Sequence, residues 1–289
     1  MATCPTCHQP ASKRDGRDPA GRQRSACRTC GHDFTEHSAS AFSGYRWPAE
    51  VILLAVRWSL SHPLSATSVV ELLAERGIDV SRRTVLRWVQ TFGPLLAAEV
   101  RKYRRPLGQK CSVDEVFFFR GKHKHYLYRA VDEHGQVVDV LFREHRDTES
   151  ASAFFRQALA RTCWRPTQVI SDHHQPYVKA VQEVLPGATH VRTGLHRASG
   201  ETTKPIERSH VFTRDRLRAA RGVKTLTTGQ RFFEGFEGLH ALRRGHTCLA
   251  KLVPGYKAAH ATTHERVRAV ADAVSALGAR LTRAARRAI

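Results

Sequence analysis

The sequence predicts a modular chain of mixed α/β class. Three observations carry that expectation. Two CxxC pairs open the chain, apolar residues then recur at helical spacing, and β-like runs alternating with helical ones fill the middle. The implied segments are a cysteine-paired ribbon over 1-37, an all-α domain over 45-107, a mixed β-sheet domain flanked by helices over 108-250, and a basic helical tail over 251-289. With 289 residues and 41% hydrophobic content, the chain holds enough apolar material for a core, which excludes wholesale disorder. Its 47 Lys+Arg against 26 Asp+Glu give a net charge of +21. That balance points to a polyanionic partner, nucleic acid before a membrane surface.

The N-terminus has no apolar leader, and the run from Val51 to Leu60 is interrupted by Arg57. A spanning helix needs about 20 apolar residues, so the expectation is a soluble, cytoplasmic protein without a membrane partner.

Cys4-Pro5-Thr6-Cys7 and Cys27-Arg28-Thr29-Cys30 are separated by nineteen residues. Two residues between thiolates let one tight turn aim both sulfurs at a single ion, and two such turns complete a tetrahedral site. Gly31 suits the knuckle turn, where φ is positive. The segment between the pairs is polar and does not fold without metal. The expectation is a structural Zn²⁺ on Cys4, Cys7, Cys27 and Cys30, with His8 and His32 beside the knuckles and exposed. Two redox-active CxxC pairs are the competing reading, and they lack the surrounding βαβ pattern.

After a Ser/Ala-rich linker (38 to 44), a helix runs from Ala49 to Trp58, and Pro63 ends that region. A second helix fits Ser65 to Arg76, Gly77 to Val80 is a turn, and Ser81 caps a third helix from Arg82 to Thr91, closed by Gly93-Pro94. This is helix-turn-helix grammar. Val85, Trp88 and Val89 form the apolar side. Arg82, Arg83 and Arg87 face out where a recognition helix meets base edges. A helical bundle with a solvated basic face is the alternative. The stretch from Arg101 to Pro106 reads as a basic linker able to follow a phosphate backbone.

From Gln109 the period becomes strand-like. Strands are expected at Gln109 to Phe119, His125 to Val131 and Gln136 to Phe142, with turns at Gly121 and at Asp132 to Gly135. A helix follows to about Thr162, then a strand from Thr167 to Ser171, a helix from Tyr177 to Leu185, a strand from Thr189 to Arg192, and a basic helix from Ile206 to about Arg221. The order β-β-β-α-β-α-β-α is that of a ribonuclease H-like mixed sheet flanked by helices. In that topology the first and fourth strands are neighbours. Asp114 inside the first would meet Asp172 at the end of the fourth, and the last helix would bring Glu207 over both. Thirty-four residues separate Asp172 from Glu207. Three carboxylates in one pocket suit Mg²⁺, and two such ions serve phosphodiester chemistry. Singly, each acid also reads as a cap or a surface charge. Arg214, Arg218 and Arg221 share the helical face of Glu207, with Arg214 two turns along and placed for a phosphate.

Several stretches in this order resemble bacterial transposases of the IS-six group (the IS-twenty-six type). They are Pro48 to Trp58, Val70 to Ser81, Arg87-Trp88-Val89, Val113-Asp114-Glu115, Tyr126 to Asp132, Ser171-Asp172, Ile206-Glu207 and Gly238 to Gly245. The resemblance spans roughly two-thirds of the chain. It implies a DDE catalytic domain with Asp114, Asp172 and Glu207 as the triad and as ligands of Mg²⁺ or Mn²⁺, two ions at the site. It also implies helix-turn-helix binding to terminal inverted repeats, cleavage to a 3′-OH, strand transfer into target DNA, a dimer or larger assembly, and a bacterial, nucleoid-associated setting. The chain departs from the pattern at Val116-Phe117, His173-His174 and Thr203-Lys204. The zinc ribbon occurs in only some relatives, and the tail from Pro254 to Ile289 lies outside the resemblance. Two other functions are compatible with these residues: a DNA-binding regulator that has lost catalysis, and a nuclease of the same fold without strand transfer.

Overall fold

The computed structural model describes residues 3–10, 12–18, 23–35, 38, 40–120, 122–193, 203–220 and 224–284. In chain order the strands are β1 (Ser12–Arg17), β2 (Gln23–Cys27), β3 (Asp33–Thr35), β4 (Lys110–Arg120), β5 (His123–Asp132), β6 (Val137–Arg143), β7 (Gln168–Ser171) and β8 (Thr189–Arg192). The helices are α1 (Ala49–Ser61), α2 (Ala66–Ala74), α3 (Arg82–Arg101), α4 (Thr148–Thr162), α5 (Gln175–Val184), α6 (Lys204–Ala220), α7 (Leu226–Arg243) and α8 (Thr263–Ala284). Two compact units result: residues 1–54 with 252–289, and residues 55–251. The sequence expectation divides the middle of the chain at 107/108. In the structure, α2 and α3 belong to the same compact unit as the large sheet.

In the first unit, β1-β2-β3 form a small antiparallel sheet. The tail is helical: α8 buries Ala269, Val270, Ala273, Val274 and Leu277. At Gly278 an added Cβ would sit 2.1 Å from Leu53 Cδ1, so α8 approaches the start of α1 closely.

In the second unit, the large sheet has the order β6-β5-β4-β7-β8. The pairs β4–β5 and β5–β6 are antiparallel, while β4–β7 and β7–β8 are parallel. That order and sense are the ribonuclease H-like topology. One sheet face packs Val113, Tyr128 and Ala130 against Phe154, Phe155, Tyr177 and Val181 of α4 and α5. The other receives α6 and α7, where Phe118 and Phe142 meet Phe233 with ring centroids 5.7 and 5.2 Å apart.

The Ser81 cap is as expected, and Ser65, read as the first residue of the second helix, instead caps α2. Ser65 Oγ accepts from Ser68 N at 3.0 Å, and Ser81 Oγ accepts from Thr84 N at 3.1 Å. Gly77, at φ 72°, closes α2 in the left-handed region that favours glycine. The expected end of the third helix at Gly93-Pro94 is corrected: α3 continues through Pro94 to Arg101. Tertiary packing outweighs the missing N–H of Pro94. Phe92, Leu96, Ala97 and Val100 are buried, and the backbones of α3 and α7 meet at glycine. An added Cβ on Gly235 would lie 2.8 Å from Gly93 Cα, and one on Gly238 would lie 2.7 Å from Ala97 Cα. Those glycines also hide α7 from a periodicity reading, which ended at the preceding basic helix. Gly121 and Arg221 fall outside the described residues.

Candidate functional site

Asp114 occupies the middle of β4, on the face toward α6 and α7, and is mostly buried. Its Oδ1 accepts from the Glu115 amide at 2.8 Å. Asp172 follows the last residue of β7. Its Oδ1 accepts from the His174 amide at 3.0 Å, and its Oδ2 accepts from Arg146 Nη2 at 3.2 Å. Glu207 lies in the first turn of α6, where its charge favours the helix N-terminus. Its Oε1 accepts from Thr203 Oγ1 at 2.7 Å, and Thr203 is buried. The structure therefore brings the three acids to one end of the sheet. Burial, reinforced by the negative charges of Asp172 and Glu207, pushes Asp114 up to about 7, against the opposing pull of Arg146 and Arg214. A group held near neutrality by two other carboxylates is what a cation-binding pocket requires.

Hard divalent ions fit this donor set: three carboxylates, each held by a hydrogen bond, with an exposed approach at Asp172. Among the described residues, only the four cysteines have all their donor atoms within 4.8 Å of one another. The acids are set wider, and Arg146 spans from Asp172 to Glu115.

Several supporting residues carried no sequence signal. Glu115 is buried and accepts from both Arg146 Nε and Tyr177 Oη, so it fixes the arginine that holds Asp172. His210, three residues after Glu207, puts Nδ1 3.8 Å from Asp114 Oδ2. Burial, together with Arg129 and Arg214, pushes His210 down to about 2, so it is a neutral neighbour of Asp114. Arg129 faces Asp114 across the β4–β5 register. It is buried, pairs with Glu237 of α7 at 2.8 Å, and donates to Ser209 Oγ of α6 at 2.7 Å. One guanidinium thus ties both helices to the sheet beneath the acids.

The basic residues divide into distinct roles. Arg82, Arg83 and Arg87 are exposed on the first turns of α3. Arg214 is exposed and close enough to lower both Asp114 and His210. Arg218 is exposed and lies 3.7 Å from Asp215. Arg216 turns inward: it donates to the Ser59 carbonyl and lies 5.2 Å from the Phe232 ring centroid.

The ribbon cysteines converge as their spacing implies. Cys4 Sγ lies 3.6 Å from Cys30 Sγ, and Cys7 Sγ lies 3.4 Å from Cys27 Sγ. Metal–sulfur bonds of about 2.3 Å give a tetrahedron with edges of about 3.8 Å, so the thiols fit a zinc ion. The amides of Thr6 and Thr29 each donate to the first sulfur of their knuckle at 3.4 Å. Backbone N–H groups, that of Cys30 foremost, push the Cys27 thiol down to about 6. Gly31 has φ 74°, and His8 and His32 are exposed. Among the described residues, no helix is long and apolar enough to cross a membrane.

Comparison with known proteins gives the family. A DDE-domain family model of the IS240 transposase type matches residues 108–246. The transposase for insertion sequence-like element IS431mec of Staphylococcus aureus is 32% identical over 194 residues, which covers 67% of this chain and 84% of that protein. The transposase for insertion sequence element IS257 in transposon Tn4003, also of Staphylococcus aureus, is 31% identical over the same length. Among solved structures, the HTLV-2 integrase catalytic core domain in complex with magnesium aligns at TM-score 0.35 and 14% identity, covering 47% of this chain and 88% of that one. The BIV integrase catalytic core aligns at TM-score 0.33 and 16% identity, covering 43% of this chain and 80% of that one. The sheet topology stands on its own strand order. The sequence relatives settle the family: this chain is a member of the IS-six family of insertion-sequence transposases, DNA-cleaving enzymes with a DDE domain.

Proposed function

We propose that the protein binds the terminal inverted repeats of its element, cleaves to a 3′-OH, and joins that end to target DNA. What supports this reading is the convergence of Asp114 of β4, Asp172 after β7 and Glu207 of α6 at one end of the sheet. Asp114, Asp172 and Glu207 would hold two Mg²⁺ (or Mn²⁺) ions, which when bound activate the attacking oxygen and stabilise the leaving one. The protein's own groups do the rest. Thr203 orients Glu207, Glu115 and Arg146 steady Asp172, and Arg129 fixes the helix that carries Glu207. Arg214 supplies positive charge beside the acids for a phosphate. Arg82, Arg83 and Arg87 serve as the groove-facing residues of the helix-turn-helix, with Arg218 of α6 and, next in sequence after α6, Arg221 contributing to DNA binding. The four cysteines hold a structural Zn²⁺. The segment boundaries at 37, 45, 107/108 and 250/251 serve as functional divisions, with the enzyme acting as a dimer or larger assembly on the bacterial nucleoid.

The test is a strand-transfer assay on a labelled duplex of the element's own end, comparing the wild type with Asp172→Asn in Mg²⁺ and in EDTA. Metal-dependent joining, lost in Asp172→Asn with end binding retained, is the expected result. Tight end binding without cleavage in any divalent ion would favour a regulator, and cleavage without joining would favour a nuclease.

A further inference from the structure

The β4–β5 hairpin extends beyond the sheet that holds it. On one side, β7 pairs with β4 only as far as Ser112. On the other, β6 pairs with β5 only from Tyr126 onward. Phe117–Arg120 and His123–His125 therefore form part of a two-stranded ribbon that neither neighbouring strand flanks.

The two faces of this ribbon differ. The even-numbered face is anchored, because Val116 is buried and Phe118 stacks on Phe233. The odd-numbered face carries Phe117 and Phe119, which are 49% and 61% exposed. These are the two most exposed aromatic residues among the large hydrophobics of the described chain. Their rings meet edge to face with centroids 5.9 Å apart. Lys124, opposite Phe119 in the register, places Nζ 5.0 and 5.7 Å from the two ring centroids. The turn adds Lys122 and His123, both exposed, so the tip is basic with no acid in its sequence from Val116 to His125.

Exposed aromatic rings beside ammonium groups are how proteins hold nucleic-acid bases: the ring takes the π-face and the cation takes the phosphate. Phe117 and Phe119 lie three and five residues beyond Asp114 on one strand, about 10 and 17 Å along it at roughly 3.3 Å per residue, on the opposite face from Asp114 and the same face as Glu115, whose partner Arg146 also holds Asp172. An exposed cation–π contact is weak, so a phosphate readily draws the Lys124 ammonium off the rings.

We propose that this ribbon is a DNA wedge: Phe117 and Phe119 stack on bases displaced from the duplex beside the scissile phosphate, and Lys122 and Lys124 neutralise the adjoining backbone. The proposal rests on the reading of Asp114, Asp172 and Glu207 as the site of cleavage.

The experiment uses the full chain and a terminal-repeat duplex carrying 2-aminopurine at the positions flanking the cleavage site. Emission of this base rises when it leaves the stack. Binding is read in EDTA and cleavage in Mg²⁺, for the wild type, Asp172→Asn, Phe117→Ala/Phe119→Ala and Phe117→Leu/Phe119→Leu. The wild type and Asp172→Asn are expected to raise emission. The alanine pair is expected to lose that rise and to bind a repeat with unpaired bases at this position at least about fivefold more weakly, since stacking contributes about 1–3 kcal/mol per base. It is expected to bind a fully paired repeat within about twofold of the wild type. The leucine pair keeps the apolar surface, so a melting temperature equal to that of the wild type certifies its fold. Its emission rise is expected to be smaller than that of the wild type. A full rise in the alanine pair overturns the wedge. So does a fall in DNA-free mass by light scattering with the emission rise intact, which would make the rings a contact between copies. If the wild type cleaves in no divalent ion, the cleavage reading fails, while the emission measured in EDTA still decides the ribbon.

Discussion

Asp114 and Arg129 face each other across the β4–β5 register, yet they do not neutralise each other. Arg129 is committed to Glu237 at 2.8 Å and to Ser209 at 2.7 Å. Burial and two neighbouring carboxylates oppose the negative charge of Asp114, which Arg129 is not free to offset. The sheet thus spends its buried cation on holding helices in place and leaves the acid for an ion.

That separation has a consequence for stability. The Asp114 carboxyl is raised in the folded protein to about 7, above its ordinary value of 3.8. Between those values the folded state binds the extra proton, so its stability falls as pH rises through this window. In EDTA, the melting temperature of Asp114→Asn relative to the wild type is expected to be higher at pH 8 than at pH 5.5, a difference that cancels the opposing titration of buried histidines such as His210. Asp114→Asn is expected to melt at least about 2 °C higher than the wild type at pH 8 and to have no cleavage activity. Thermal unfolding at the two pH values checks both. An Asp114→Asn variant less stable than the wild type at pH 8 would contradict the assignment.

Breaking the Arg129–Glu237 pair is expected to be costly because the surviving partner stays buried. Arg129→Met is expected to lose about 3–5 kcal/mol. The double variant Arg129→Met/Glu237→Leu is expected to recover much of that loss. Denaturant unfolding of the single and double variants measures it.

The α3–α7 contact admits no side chain at Gly238. An added Cβ would sit 2.7 Å from both Ala97 Cα and Cβ. Gly238→Ala is expected to destabilise the protein by about 1–3 kcal/mol through overpacking, against the gain of about 1 kcal/mol that this substitution gives in an open helix. A rise in midpoint denaturant concentration would contradict the close approach.

A structural zinc on Cys4, Cys7, Cys27 and Cys30 is part of the proposed function. One zinc per chain is expected by elemental analysis of the purified protein. Cys27→Ser is expected to lose it, because structural sites of this kind use all four ligands. Retention of stoichiometric zinc by Cys27→Ser would contradict a four-sulfur site.

Much of this was legible in the sequence, for physical reasons. The CxxC pairs announce themselves because metal geometry dictates their spacing, and Ser81 does so because a helix cap needs a side-chain acceptor. Asp114 stood out as a carboxylate among residues that a strand should bury. The extent of α3 was not legible. Pro94 signals a stop, and only the glycines of α7, more than a hundred residues away, permit the packing that overrides it. Arg129, Glu115 and His210 were invisible for the same reason. Each is an ordinary polar residue until the fold sets it against Glu237, Arg146 or Asp114. Arg216 also read as one more basic residue of α6, whereas it is buried against Ser59 and Phe232.

The central claim is that Asp114, Asp172 and Glu207 jointly hold the catalytic ions. Its most direct test is Mn²⁺ binding to the protein–DNA complex, followed by electron paramagnetic resonance, in the wild type and in Asp114→Asn, Asp172→Asn and Glu207→Gln. The account predicts up to two bound Mn²⁺ per active site in the wild type and a loss of affinity or stoichiometry in each variant, with DNA still bound. Mn²⁺ binding unchanged in all three variants would contradict it.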